Sequence, residues 1–518
     1  MRILNLCLFG FCLLFFAFFA STDLALPGPQ YDEASHACLT VDMLNPQNPF
    51  SPTYSFYLLG RPLPFGTDPH TGASKAYLLL PFFSLFGPSV EVQRGVTLLM
   101  GALALLFCYL FVLKACGSWP AFWTLLLLSL DSAFIFYSKL DAGPIIEKLM
   151  WMMFCLWSFG EWGRTQKKSY LLLGVVGSVI GMYSHIAFIW FTVVSLTSVF
   201  LFYRKEILDL LKRKERFFIG GASIWMFAFF FYWLIGARDL LTLPILGLGG
   251  TFKMMERLAT QGGIIPDVLG DTFEMLIQTR PLTDLFFLIS VIFLLCFFRT
   301  KVVRFLMVMV TLLFIQMSFT PGAILPHRIM MLYVFFPILG GVTVAEALRI
   351  LRNWKRSFSL KQILAAGVVF LAIFSMMSQI LFTQEAIHAI HRTGGTGPWS
   401  DEIYRLADFL REERAERAIC IDWGFRKNLF LLTKGALLLE EPFWRWEDEK
   451  KMEEEFGRME NLPAKTFFLL HPRPYGVRGF PTVHQFKALV TRAGKKPTLR
   501  RTFYEKNGRP IYLVYTLE

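Results

Sequence analysis

About eleven long apolar segments govern what this 518-residue chain can become. They run approximately Leu4–Ala20, Gly95–Leu113, Trp119–Phe136, Ile145–Gly160, Tyr170–Tyr183, Ile186–Phe202, Phe217–Ile235, Leu285–Phe298, Val302–Phe319, Ile329–Ala347 and Ile363–Phe382. Lipid offers no water to satisfy open backbone groups, so such stretches must close their hydrogen bonds internally, as helices. Several are shorter than the roughly 20 residues that span a bilayer, and packing or interfacial residues must complete them. Charged residues make up only 18% of the chain and are clumped between the segments. The sequence therefore predicts a polytopic α-helical membrane protein.

The clumps set an orientation. Lys114, Arg164-Lys167-Lys168, Arg204 to Arg216, Arg299-Lys301-Arg304 and Arg349 to Lys361 fall in every second loop. By the positive-inside rule those loops are cytoplasmic, and the others face outward with the C-terminal tail. The net charge of +13 is explained this way, and no Lys/Arg stripe with stacking aromatics marks a nucleic-acid partner. The first segment reads as an uncleaved anchor, with a signal peptide as the rival reading. Of eight cysteines, only Cys38 and Cys420 fall outside. Spacing permits a disulfide between them but cannot establish it.

Residues 1–382 form the predicted membrane domain, with a long first outer loop over 21–94. Residues 383–518 change character: charges become dense and apolar runs shorten to strand length. Helical patterns at Asp401–Arg417, Trp446–Met459 and Thr482–Ala493 alternate with strand-like runs at Ala418–Ile421, Ala436–Leu439, Thr466–Leu470 and Ile511–Tyr515. That alternation predicts an extracytoplasmic α/β domain.

Acids and bases gather in the outward loops. The first loop holds Asp32-Glu33, then Asp68, His70 and Lys75. The second holds Lys139 and Asp141, with Glu147-Lys148 just after. His185 ends a helix and His327-Arg328 opens another. Such a set suits transfer of a sugar activated by a lipid phosphate, which needs a base for the acceptor and cations for the leaving group.

Four motifs in order carry a family resemblance. They are Asp32-Glu33 after the first helix, Tyr77-Leu78-Leu79-Leu80-Pro81 continuing to Arg94, Ser138-Lys139-Leu140-Asp141 after the third helix, and His327-Arg328. In these the chain resembles the GT-C glycosyltransferases, among them the protein O-mannosyltransferases and the lipid A aminoarabinose transferases. The match is good over about the first 200 residues and architectural beyond. The resemblance implies a polyprenyl-phosphate sugar donor, a glycan, lipid or protein acceptor, and Asp32 as catalytic base. It implies Asp141 as a second acid near the first, binding acceptor or metal. A divalent cation between Asp32 and Asp141 would keep both ionised. Without it, each would raise the other's pKa.

Each role has a structural alternative. Asp32-Glu33 also suits the first turn of an interfacial helix, and Asp141 suits an ordinary helix cap. Glu33 is the candidate acceptor or metal contact. Lys75 and Arg328 are the candidate phosphate clamps, although both could anchor at the lipid boundary. His185 and His327 are further substrate-binding candidates, with Lys139 and His70 weaker ones. The Gly236–Thr283 loop is a candidate lid. A lipid or polyol transporter is the competing function, but such proteins tend to place charges at the midplane and repeat internally. A non-catalytic receptor would leave the loop acids unexplained.

Overall fold

The computed structural model describes residues 2–45, 50, 54–58, 61–68, 70–212, 268, 281–297, 300–319, 326–353, 359–445, 450–451, 453–454, 463, 465–473 and 482–518. The Phe217–Ile235 segment, the Gly236–Thr283 loop and the Trp446–Met459 stretch lie wholly or largely outside these residues.

The chain opens with α1 (Arg2–Ala20) and α2 (Ser35–Leu44), then an antiparallel sheet of β1 (Tyr54–Leu58), β2 (Arg61–Asp68) and β3 (Thr71–Gly72). Helices α3 (Ser74–Phe86), α4 (Val90–Cys116), α5 (Ser118–Leu130), α6 (Ser132–Lys139), α7 (Ile145–Thr165), α8 (Lys168–Ser184), α9 (Phe188–Phe202) and α10 (Arg204–Lys212) follow. Further along the chain come α11 (Pro281–Phe297), α12 (Lys301–Ser318), α13 (Pro326–Tyr333), α14 (Phe335–Arg352) and α15 (Leu360–Thr393). Among the described residues five helical stretches are long and apolar enough to cross a membrane alone, and the bent pair α5–α6 makes a sixth. The chain is a multi-pass membrane protein.

Local chemistry explains several boundaries. Ser89 Oγ caps α4 by accepting from Val92 N at 3.2 Å, and Gly117 at φ +98° ends it. The expected single span Trp119–Phe136 is in fact broken by 62° between α5 and α6. Asp131 makes the break: its Oδ1 accepts from Phe134 N (2.8 Å) and its Oδ2 from Tyr333 Oη (2.8 Å). A buried carboxylate with two such donors favours a new helix start over continuation.

The C-terminal region contains α16 (Glu402–Glu412), β4 (Arg417–Cys420), α17 (Arg426–Leu432), β5 (Leu438–Glu440), β6 (Thr466–Leu470), α18 (Val483–Arg492), β7 (Pro497–Tyr504) and β8 (Pro510–Leu517). Its sheet order is β5-β4-β6-β8-β7, parallel across β5, β4 and β6 and antiparallel beyond. The apolar faces of α18 and the sheet meet at Phe486, Leu489, Phe468 and Tyr515. Cys38 and Cys420 are both free thiols, and Cys38 Sγ donates to the Lys427 carbonyl.

Candidate active site

The loop before α2 is shaped by one arginine. Arg94, wholly buried in the first turns of α4, donates Nε to Glu33 Oε1 (2.7 Å) and Nη2 to Glu33 Oε2 (2.8 Å). Its Nη1 donates to the Leu24 and Pro27 carbonyls, and Gln93 Nε2 donates to the Glu33 carbonyl at 2.6 Å. Glu33 is thus enclosed, with both oxygens on a guanidinium fork, and it does not reach the open face expected of a substrate or metal contact. Its neighbour points the other way. Asp32 is exposed, and its carboxylate has no hydrogen bond or ion pair among the described residues.

Asp32 stands at the mouth of a cavity of about 110 Å³. Ser35 and His36 of α2, Thr67, Asp68, His70 and Thr71 of the small sheet, the turn Ala142-Gly143-Pro144, and His185 complete the wall. Strand pairing brings these distant pieces together: Thr71 bridges His185, and Ile186 N donates to the His70 carbonyl at 2.9 Å. His70 Nδ1 lies 3.3 Å from Asp68 Oδ1, and its ring meets that of His185 edge-on at 5.7 Å. Burial holds the His70 imidazole below its ordinary range, with Asp68 opposing. Arg328 and Lys148 add to the depression and Asp32 counters it, which places all three charges within electrostatic reach of the cavity. His185 Nδ1 accepts from Ala187 N (3.0 Å), so the neutral ring carries its proton on Nε2.

Asp141 sits one layer behind. Its Oδ2 pairs with Lys75 Nζ at 2.7 Å, and its Oδ1 accepts from Ile145 N (2.7 Å) and Ile146 N (3.0 Å). Both side chains of the pair are 1% exposed. Asp141 therefore fixes the turn that walls the cavity, and Lys75 is drawn inward to it, away from the lipid boundary. A cation shared between Asp32 and Asp141 would have to displace Lys75, and among the described residues no group of three or more His, Cys, Asp or Glu is placed to hold a metal. The residues do not suit that ion.

Arg328, in α13, is 4% exposed, and its Nε has no hydrogen-bond partner among the described residues. Its guanidinium lies 5.8 Å from the Trp190 ring. The backbone of His327 begins the same helix; its side chain lies outside the described residues. Glu147 and Lys148, which the sequence places just after Asp141 without a role, are buried at the start of α7 and complete an ionic cluster. Their signal was two adjacent charges inside an apolar helix. Lys139 is directed elsewhere, donating to the Thr22 carbonyl at 2.6 Å.

The C-terminal region closes over this loop. Lys427 Nζ donates to Ser35 Oγ (2.7 Å) and lies 4.3 Å from the Tyr31 ring centre. Trp423 packs on Tyr31 at 4.7 Å, and Tyr31 Oη donates to Glu441 Oε2 at 2.6 Å. Burial and the Glu441 carboxylate push the Tyr31 phenol well above its ordinary range.

No family model matches the sequence, and no curated protein matches it. Solved structures do match in fold. ArnT from Cupriavidus metallidurans, bound to undecaprenyl phosphate, is 11% identical with a TM-score of 0.59, over 98% of this chain and 97% of that one. The oligosaccharyltransferase AglB from Archaeoglobus fulgidus, in complex with an inhibitory peptide and a dolichol-phosphate, is 12% identical with a TM-score of 0.53, over 99% of this chain and 74% of that one. A third structure, of the same archaeal enzyme, holds zinc and sulfate. The helical bundle, the loop-borne cavity and the C-terminal sheet together give this chain the fold of the GT-C glycosyltransferases.

Proposed function

We propose that this protein is a membrane glycosyltransferase that moves a hexosyl or pentosyl group from a polyprenyl-phosphate donor to an acceptor at the outer face of the plasma membrane. The observation that carries this reading is Asp32: an exposed carboxylate without a partner among the described residues, at the mouth of a polar cavity, with buried cations behind it. Structures of the same fold bound to undecaprenyl phosphate and dolichol-phosphate support the lipid carrier.

Asp32 accepts the acceptor hydroxyl proton as that oxygen attacks the anomeric carbon. The bond to the lipid phosphate breaks on the opposite side, so the anomeric configuration inverts. Arg328 supplies N–H donors to the departing phosphate, and its planar fork suits two phosphate oxygens. Lys75 acts through Asp141, holding the Ala142–Pro144 wall in place. Asp68 orients His70, whose neutral ring serves the cavity as a hydrogen-bonding surface. His185 contributes an Nε2 proton to the same wall. No step is routed through a metal ion.

The test is a transfer assay in membranes with Asp32→Asn and Asp32→Glu, read alongside thermal stability. Asn keeps the shape and removes the base, so transfer should fall by about 10²–10⁴-fold with the melting temperature unchanged. Glu should recover part of it. Unaltered transfer in Asp32→Asn would sink the assignment. Loss of lipid uptake without any transfer in the wild type would favour a transporter.

A further inference from the structure

The opposite end of the bundle carries a second built feature. α7 is 21 residues long, so its C-terminal turn lies about 30 Å from the end fixed by Asp141. There the ends of α4 and α7, Tyr203 after α9, and the start of α12 enclose a cavity of about 220 Å³. A larger groove of about 690 Å³ adjoins it, sharing Ala115 and continuing past Thr300 toward α5 and α14. Neither contributes to the candidate active site.

Three properties of this double cavity converge on one ligand class. The first is charge. Lys114, Arg164 and Lys301 line the smaller cavity, and among the described residues Glu161 is the one acid that lines it, already forked onto Arg164. Lys114 and Lys301 have no acidic partner among the described residues; Lys301 Nζ lies 3.9 Å from the Tyr203 ring centre. Around the groove Arg352 extends the positive rim, while Arg349 is paired with Glu346 at 2.5 Å.

The second property is the wall below the charges. Trp157, Phe159 and Phe305 line the smaller cavity, and Trp119, 57% exposed, stands in the groove. A small inorganic anion has no use for such a wall, whereas acyl chains do. The third is an unmet donor. Trp123 Nε1 is buried in the groove wall with no hydrogen-bond partner among the described residues. An indole N–H in an apolar wall needs an acceptor.

We propose that this double cavity binds an anionic glycerophospholipid from the leaflet opposite the candidate active site. Its phosphodiester sits between Lys114 and Lys301, an ester carbonyl accepts from Trp123, and the acyl chains follow the aromatic wall into the groove. Charge placement matches: these cations belong to the loops that the sequence assigns to the cytoplasmic side, where anionic lipid headgroups gather.

The experiment uses the full-length protein in detergent micelles. Native mass spectrometry and thermal shift are read with phosphatidylglycerol, with phosphatidylcholine and with inorganic phosphate. Phosphatidylglycerol should bind and raise the melting temperature, while phosphatidylcholine and phosphate do not. The variant Lys114→Ala/Lys301→Ala, altered only at exposed side chains, should bind phosphatidylglycerol about thirtyfold more weakly, a factor of about five per lysine. The control Lys495→Ala/Lys496→Ala, in the C-terminal region, should bind as wild type does. Equal binding of the two lipids, or undiminished binding in the Lys114/Lys301 variant, would overturn the proposal. So would phosphate alone reproducing the full shift. The lipid comparison in wild type stands even if a variant fails to fold.

Discussion

Lys75 Nζ and Asp141 Oδ2 lie 2.7 Å apart in a setting where both side chains are 99% enclosed. A pair so placed loses most when only one partner is removed, because the survivor is left charged and unpaired. Lys75→Met should lower stability by about 3–5 kcal/mol and reduce transfer in parallel. Adding Asp141→Asn should restore part of that stability, since the amide oxygen can still accept from Ile145 and Ile146 N. Denaturation of the two single variants and the double variant gives the coupling directly. An additive result would show that the pair does not act as a unit.

Two adjacent carboxylates should fail in opposite ways. Glu33→Gln removes the charge that neutralises buried Arg94 and should cost about 3–5 kcal/mol, seen as a lower melting temperature and poor membrane insertion. Asp32→Asn should leave the melting temperature in place and remove transfer. A melting-temperature loss at Asp32 equal to that at Glu33 would contradict this division.

Arg328 is the third point of test. Lys in its place keeps the charge and loses the fork. Removing a charge-assisted hydrogen bond of about 1.5–3 kcal/mol should raise donor KM by about 10–150-fold, with kcat falling less. A change confined to kcat would instead place Arg328 outside donor binding.

His36 gives the fold a pH dependence. Burial, with Lys75 adding to it, pushes this imidazole down to about 3, and its Nε2 donates to the Gly72 carbonyl at 3.1 Å. The unfolded chain takes up a proton near 6.5 and the folded one does not, so acid favours unfolding. The His36 contribution is fully present above about pH 6.5 and fades as pH falls toward 3. Melting temperatures of His36→Gln should show a flatter slope than wild type across that window. Parallel slopes would remove His36 as the cause.

Much of this architecture was legible in the sequence because lipid enforces a simple rule. Apolar length reports helices. Thus Thr466–Leu470 matches β6 at both ends, and Ile145–Gly160 matches the start of α7, which runs on to Thr165. The bend at Asp131 was missed because one capping carboxylate outweighed an otherwise unbroken apolar run. α2 was missed because it is short and part polar, and α3 because its 13 apolar-rich residues, with Pro81 inside, fall short of a span. The site was legible as a set of residue types on one face, and less so as a geometry. Glu33 and Asp141 carry the expected charges, but their oxygens are held by Arg94, Lys75 and the start of α7. Nothing local in the sequence announces those partners, which lie 61 and 66 residues away from them.

The contact between Lys427 and Ser35 spans 392 positions in the chain. At about 5–20 residues per second, a ribosome takes roughly 20–80 s to travel that distance. For that interval the newborn protein already holds its first helix and the Asp32 loop, but neither Lys427 nor Trp423 to rest against Tyr31. The loop is therefore finished last although it is made first. Nascent chains stalled before residue 423 should expose Tyr31 and Ser35 to modifying reagents that the completed protein excludes.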